Sequence, residues 1–302
     1  MTDILILGTG AMALLFGSRL ISAGVKVSLL GTWKEGIKAI KEHGIRVVGD
    51  EDNSYSPVTV TSNINKIRKT WMVLFLVKSW QTERAARQLI DLLHPEGVVL
   101  TLQNGLGNLG ILSDLLGKER TMQGVTTYGA TLIGPGLVRP GGEGLITLGI
   151  HPRLSPLKLV FKEAGFKVEE SSDISSLVWS KLVINAAINP LTALLGVPNG
   201  KLLESGAAKK IMSLAAEEAA SVATEKGIPL IYKDPFRAAE EVAAATAENI
   251  SSMLQDIKRG SPTEIEVICG AIVREGKQLN IPTPVNQLFY QLIQSQVDLF
   301  EQ

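Results

Sequence analysis

The chain has a single cysteine, Cys269, and only three histidines, His43, His94 and His151. One cysteine cannot form an intrachain disulfide or build a cysteine-based zinc cluster. That usage fits a reducing interior, so a cytoplasmic protein is expected. Each histidine lies in a polar segment flanked by Gly or Pro and reads as surface. A histidine acid, nucleophile or metal site is therefore not expected, and any proton must move on another side chain. Charge excess is also missing, because 30 Lys and Arg balance 30 Asp and Glu. This argues against nucleic acid and anionic membrane as partners. No apolar run approaches the roughly 20 residues of a membrane span. The start, Met-Thr-Asp leading straight into an apolar strand, lacks the basic region and cleavage site of a signal peptide. Internal repeats and low-complexity tracts are likewise not seen.

What the chain does have is length and a core. With 302 residues, 45% hydrophobic and 20% charged, it has the composition of a globular protein of two domains. The first half alternates strand and helix. Ile4 to Leu7 is a short apolar run suited to a buried parallel strand. Gly8, Gly10 and Ala13 then form G-x-G-x-x-A ahead of a helical pattern over 11–22, Gly24 ends that helix, and Val25 to Leu30 is a second strand. Gly8 permits a tight turn, Gly10 lets backbone approach a pyrophosphate, and Ala13 allows close helix–strand packing. A lone glycine motif is weak evidence. One that follows a strand and opens a helix points to dinucleotide binding. After the second strand comes Gly31-Thr32-Trp33-Lys34, with no carboxylate before Glu35. A hydroxyl and an ammonium suit a 2′-phosphate better than a 2′-hydroxyl, which favours NADP over NAD, although Lys34 would serve equally as a solvated helix-start residue.

Further apolar strands run from Trp71 to Val77 and from Val98 to Leu102, followed by Lys78 and by Gln103-Asn104-Gly105. Ligands in open parallel sheets sit at strand carboxyl ends, so Lys78 and Asn104 become candidates to contact cofactor or substrate. The bland alternatives are a solvated lysine and a plain turn. Residues 120–149 read as additional strands, with a hairpin at Pro140-Gly141-Gly142.

After about residue 172 the texture turns helical. The expected organisation is an N-terminal Rossmann-type doubly wound α/β domain over 1–172 and an all-helical domain over 173–302. Helices are expected near 175–195, 204–227, 235–258, 262–280 and 284–300. In the first of these, Lys181, Asn185 and Asn189 are spaced i, i+4, i+8 and share one face. A merely solvated face would carry long charged side chains. Amides with poor helix propensity and one amine suggest donors converging on a ligand where such domains meet. Asn249 and Ser252 are three apart and would share another helical face. Ser261, Pro262 and Glu264 read as a capping box, the structural reading preferred for Glu264 on spacing alone.

Several motifs in order resemble those of the ketopantoate reductase family: GTGAMA near the start, VKSWQT at 77–82, QNGLG at 103–107, KLVINAAINPLTAL at 181–194, VPNGKL at 197–202 and SSMLQDIKRGSPTEIE at 251–266. The resemblance implies NADPH-dependent reduction of 2-dehydropantoate to (R)-pantoate, towards pantothenate and coenzyme A. It implies that Gly8, Thr9, Gly10, Ala11, Met12, Ala13, Lys78, Asn104 and Ala130 line the cofactor, while Thr32 is a candidate for its ribose end on the strand-end reading above. Lys181 matches the proton donor. Asn185, Asn189, Asn199 and Ser252 match substrate-binding positions, with Asn249 and Asn104 beside them. Glu264 matches a carboxylate of the same cleft, which places it with Lys181 among the catalytic residues and with the cofactor contacts. No metal is required. One departure is the missing arginine after the second strand, near Thr32, which weakens the preference for NADP. Reduction of another 2-oxo acid on the same residues is the alternative. A non-catalytic NADP-binding regulator would be expected to have lost Lys181 or the amide stripe. A helical second domain offers a surface for a homodimer, although no residue specifies one.

Overall fold

The computed structural model describes residues 3–49 and 54–300. The outer ends of the two expected domains, at residues 1–2 and 301–302, lie outside them. The chain divides into two compact units: residues 1–103 with 108–174, and residues 104–107 with 175–302.

The first unit is built on an eight-stranded sheet. Its elements, in chain order, are β1 (Asp3–Leu7), α1 (Ala11–Ser22), β2 (Lys26–Leu30), α2 (Lys34–His43), β3 (Ile45–Val47), β4 (Ser54–Ser56), β5 (Thr59–Thr61), β6 (Thr70–Phe75), α3 (Thr82–Leu89), β7 (Leu93–Thr101), α4 (Asn108–Leu116), β8 (Thr121–Thr126), β9 (Ala130–Gly134), β10 (Leu137–Pro140), β11 (Ile146–Gly149), α5 (Ser155–Glu163) and β12 (Val168–Ser171). The order across the sheet is β12-β11-β8-β7-β6-β1-β2-β5. All neighbours run parallel except β11 against β8. The chain turns one way from β1 to β2 and the other way from β6 to β8, so the topological switch falls between β1 and β6. The apolar runs become central strands because both faces are covered. Leu5, Leu7, Val73, Phe75 and Val99 pack with Ala86, Leu89 and Leu112 on one side. Ile4, Ile6, Leu74 and Leu100 pack with Leu14, Phe16 and Phe161 on the other.

The hairpin expected at Pro140-Gly141-Gly142 does not form. Instead β10 pairs antiparallel with β9 and parallel with β3 in a second, four-stranded sheet of order β4-β3-β10-β9. The Pro-Gly-Gly segment then leads the chain back to β11 in the large sheet. Helix α1 packs against β3, β9 and β10 of this second sheet. The contact is tight: a Cβ on Gly17 would stand 2.9 Å from Ile45 Cδ1. Phe16, Phe161, Phe166 and Tyr128 form an aromatic cluster, with the Arg19 guanidinium over two of the rings. Burying Phe16 completely contributes about 2–3 kcal/mol of hydrophobic transfer.

The second unit consists of α6 (Ile174–Leu195), α7 (Gly206–Glu225), α8 (Pro235–Ala245), α9 (Ser252–Lys258), α10 (Cys269–Leu279) and α11 (Pro284–Phe300). On length and composition α6 could cross a membrane, which the expectation of no such run did not foresee, but 72% of its apolar window is buried within the protein. It is a core helix whose buried residues share one apolar cluster with the alanines of α7. The expected helix over 235–258 is two helices separated at 246–251. The one expected over 262–280 starts only at Cys269, after a 3₁₀ turn at Ile265–Val267. Caps define several ends: the side chains of Ser205, Asp234 and Ser251 accept from Ala208 N, Arg237 N and Leu254 N. Helix α11 is capped from outside. The Glu218 carboxylate accepts from Val285 N, Asn286 N and Asn286 Nδ2 at 2.8–2.9 Å.

Candidate active site

In the α/β unit the glycine fingerprint lies at the switch point. Gly8 has φ +125°, and a Cβ there would stand 2.9 Å from Leu76 O, so both conformation and space demand glycine. Its N–H donates to Leu30 O, and Leu76 N donates to Leu7 O, which fixes the crevice between β1, β2 and β6. Gly10 is the N-cap of α1 and no side chain caps it. Nothing lies within 4 Å of the position its Cβ would take. The N-terminus of α1 is thus open beside Gly10, with room for a phosphate near uncapped N–H groups, and this fits a pyrophosphate. Thr9 is buried, its side chain under Gly31 at the end of β2. Ala13 is fully buried, and Ala11 and Met12 are half-buried beside it. Thr32 and Lys34 are exposed beyond β2. Lys78 is half-buried, and its extended backbone opens the 3₁₀ turn Ser79–Gln81. Ala130 opens β9, so it belongs to the second sheet.

Gln103 opens the QNGLG motif, and the sequence alone gives it no role. It organises these loops. Its Nε2 donates to Val77 O at 2.8 Å and to Thr82 Oγ1 at 2.9 Å, and its Oε1 accepts from Thr101 Oγ1. The Thr82 hydroxyl in turn donates to Asn108 Oδ1 at 2.9 Å. The carbonyl before Lys78 is held by this chain of amides and hydroxyls. A long amide at the end of a central strand was the signal available in the sequence.

In the helical unit three separated segments bring Lys181, Glu264 and Asn104 together. Asn104 Nδ2 donates to Glu264 Oε2 at 3.4 Å. Gly105 follows with φ +80°, and a Cβ on it would stand 2.4 Å from Val267 O, while Leu106 N donates to that same oxygen. Asn104-Gly105 is therefore a backbone seat against Val267 and more than a simple turn. Glu264 is only 6% exposed. The capping box at Ser261 and Glu264 does not exist: Glu264 makes no side-chain cap, and its backbone oxygen accepts from Val267 N and Ile268 N. Its carboxylate is committed to the buried site instead.

Lys181 is half-buried, on a helix whose Leu182, Val183 and Ala186 are buried. Desolvation lowers its ammonium to about 8, while the Glu264 carboxylate pulls in the opposite direction by favouring the charged form. Asn185 is half-buried and Asn189 buried, further along the stripe. Pro190 follows inside the helix. Thr192, one turn on, shares a 2.7 Å bond with Ser251, the N-cap of α9, and this sets Ser252 close to the Asn189 turn. Ser252 itself is exposed. Asn249 lies outside any helix, so it does not share a helical face with Ser252. Its carbonyl accepts from Asn199 N at 3.0 Å. Asn199 opens the 3₁₀ turn Asn199–Glu204.

The histidines serve structure: His94 stacks on Trp71, His151 Nδ1 accepts from Arg153 N, and His43 is exposed. Among the described residues, no group of three or more His, Cys, Asp or Glu could hold a metal ion. Burial pushes the Cys269 thiol upward and leaves it inert.

Comparison with known proteins adds an independent line. The family model for ketopantoate reductase PanE/ApbA matches residues 4–153, and that for the ketopantoate reductase PanE/ApbA C terminal region matches residues 173–297. A 2-dehydropantoate 2-reductase of Archaeoglobus fulgidus is 36% identical over 293 residues, 95% of each chain. A PanE/ApbA family ketopantoate reductase from Ralstonia eutropha superposes with TM-score 0.93 at 30% identity, covering all of both chains. A D-mandelate dehydrogenase solved with NADH and anilino(oxo)acetate superposes with TM-score 0.94 at 27% identity, again over all of both chains.

Proposed function

The chain belongs to the ketopantoate reductase family, and from that premise we propose that it reduces 2-dehydropantoate to (R)-pantoate with NADPH. The observation that carries this reading is the half-buried Lys181 beside Glu264, its ammonium lowered to about 8 by desolvation. A nicotinamide nucleotide, when bound, supplies the hydride that reaches C2 of the 2-oxo acid. Negative charge then grows on the oxygen at C2, and Lys181 Nζ stabilises it and gives up a proton. An ammonium of pKa near 8 is still charged at neutral pH yet releases its proton far more readily than an exposed lysine. Glu264 keeps the ammonium charged, and Asn104 orients Glu264. Asn185, Asn189, Asn199 and Ser252 hold the substrate by hydrogen bonds without adding a cation to compete with Lys181.

The nucleotide's phosphates would be held by Gly8 to Ala13 at the start of α1. Thr32 and Lys34 favour a 2′-phosphate, and so NADPH. The buried lone thiol suits the cytoplasm, and the partner is a small 2-oxo acid. The likeness to a D-mandelate dehydrogenase supports one second reading, reduction of a different 2-oxo acid with NADH. Following nucleotide oxidation at about 340 nm with NADPH and separately NADH, on 2-dehydropantoate and on other 2-oxo acids, separates the two. Turnover of another 2-oxo acid with none of 2-dehydropantoate would sink the first reading.

A further inference from the structure

The turn that carries Asn199 is held with unusual firmness. Asn199 N donates to Asn249 O and Gly200 N to Ala247 O, both at 3.0 Å. A Cβ on Gly200 would stand 2.6 Å from Ala247 Cβ, so the two strands of chain lie against each other with no room to shift. The side chain is fixed as well. Asn199 Nδ2 donates to Thr246 Oγ1 at 2.9 Å. The Thr246 hydroxyl has one proton and donates it to Val242 O at 2.6 Å. Towards Asn199, Thr246 can therefore only accept. An asparagine amide has a donor end and an acceptor end, and this contact decides which way it points. The NH₂ faces Thr246 and the oxygen faces away. That oxygen, Asn199 Oδ1, is buried without a hydrogen-bond partner in a residue 8% exposed.

A buried acceptor held in place without a donor is costly unless a ligand supplies one. The carboxylate and the keto oxygen of a 2-oxo acid are both acceptors and cannot do so. An alkyl side chain offers nothing. Among the groups that a 2-oxo acid can carry, a hydroxyl is the donor that can meet this oxygen. We infer that Thr246 is a positioning residue that fixes Asn199 as the acceptor for a substrate hydroxyl, making the site selective for 2-oxo acids that carry one. The inference rests on the reading of Asn199 as a substrate contact in a 2-dehydropantoate reductase, and it names the feature by which such a site would reject simpler 2-oxo acids.

The test compares kcat/KM for 2-dehydropantoate with that for 3,3-dimethyl-2-oxobutanoate, which differs only in lacking the hydroxyl. The full-length wild type, Thr246→Val and Thr246→Ser are measured, each with NADPH. The wild type should strongly prefer the hydroxylated acid. Thr246→Val, with no acceptor to orient the amide, should reduce that preference by about tenfold or more, because rejection of the analogue depends on an acceptor held for a hydroxyl. Thr246→Ser should restore it, which a loss of packing would not. Should Thr246→Val fail to fold, Thr246→Ala is read in the same way. An unchanged preference in Thr246→Val, or an effect confined to KM for NADPH, overturns the role of Thr246. A wild type that turns over other 2-oxo acids but not 2-dehydropantoate defeats the underlying reading as well, and is told apart by that result alone.

Discussion

The α/β unit prepares its candidate site by leaving atoms out, and the helical unit by putting atoms in. At Gly8 and Gly10 the functional surface is backbone, exposed because no side chain covers it. At Lys181, Glu264 and Asn104 the functional surface is an ammonium, a carboxylate and an amide inside an apolar setting. The first kind of site should be broken by adding a carbon, the second by removing a nitrogen or an oxygen. The two kinds of damage should also appear in different measurements, nucleotide affinity in one case and chemistry in the other.

The largest effect tests the helical side. Lys181→Ala should fold, retain nucleotide binding by fluorescence titration and lose about 10³-fold in kcat, the scale of a lost general acid. Near-normal turnover would remove Lys181 from the chemistry. Gly10→Ala tests the other side. With nothing within 4 Å of the added methyl, its Tm should match the wild type while KM for the nucleotide rises about tenfold or more, since the methyl occupies space a phosphate needs. An effect on kcat alone would blur the distinction between the units. Glu218→Ala is a control for stability away from either site. It removes the acceptor of three N–H donors at the start of α11, and chemical denaturation should show a loss of about 2–3 kcal/mol with KM values unchanged.

The subtlest effect is a shift in pH. Lys181 must be protonated to donate, so reduction should decline as pH rises through about 8. The Glu264 carboxylate raises the pKa of Lys181. Glu264→Gln should therefore move that falling limb to lower pH, seen in kcat profiles. A limb that stays in place or moves upward would mean that Glu264 does not act on the ammonium.

The parts of this comparison that could be read in the sequence were local. The β-α-β start shows because continuous apolar runs and a glycine fingerprint lie within thirty residues. The stripe of Lys181, Asn185 and Asn189 shows because one helix carries all three. The parts that could not be read depend on distant partners. The second sheet joins three- to five-residue strands, with Leu137 beside Arg46, and no short segment announces such a pairing. Thr246 to Asn249 has acceptable helix propensity, yet the chain breaks there because Ala247 and Asn249 give their carbonyls to the Asn199–Gly200 turn. Ser261-Pro262-Thr263-Glu264 has the spacing of a capping box, yet its glutamate is committed to the interior. Local grammar was overruled in each case by a hydrogen bond across many residues.

The four residues Asn104–Gly107 group with the helical unit, although they stand between β7 and α4 in the chain. This bears on how such proteins can be recombined. A cut near residue 173, the natural place by sequence, would give a helical fragment lacking the segment that meets Val267 through Gly105 and Leu106. A chimera between relatives would have to exchange residues 104–107 together with 175–302 to keep each seat with its occupant. Inheritance of the helical half is thus discontinuous: a graft of two pieces, one of them four residues long.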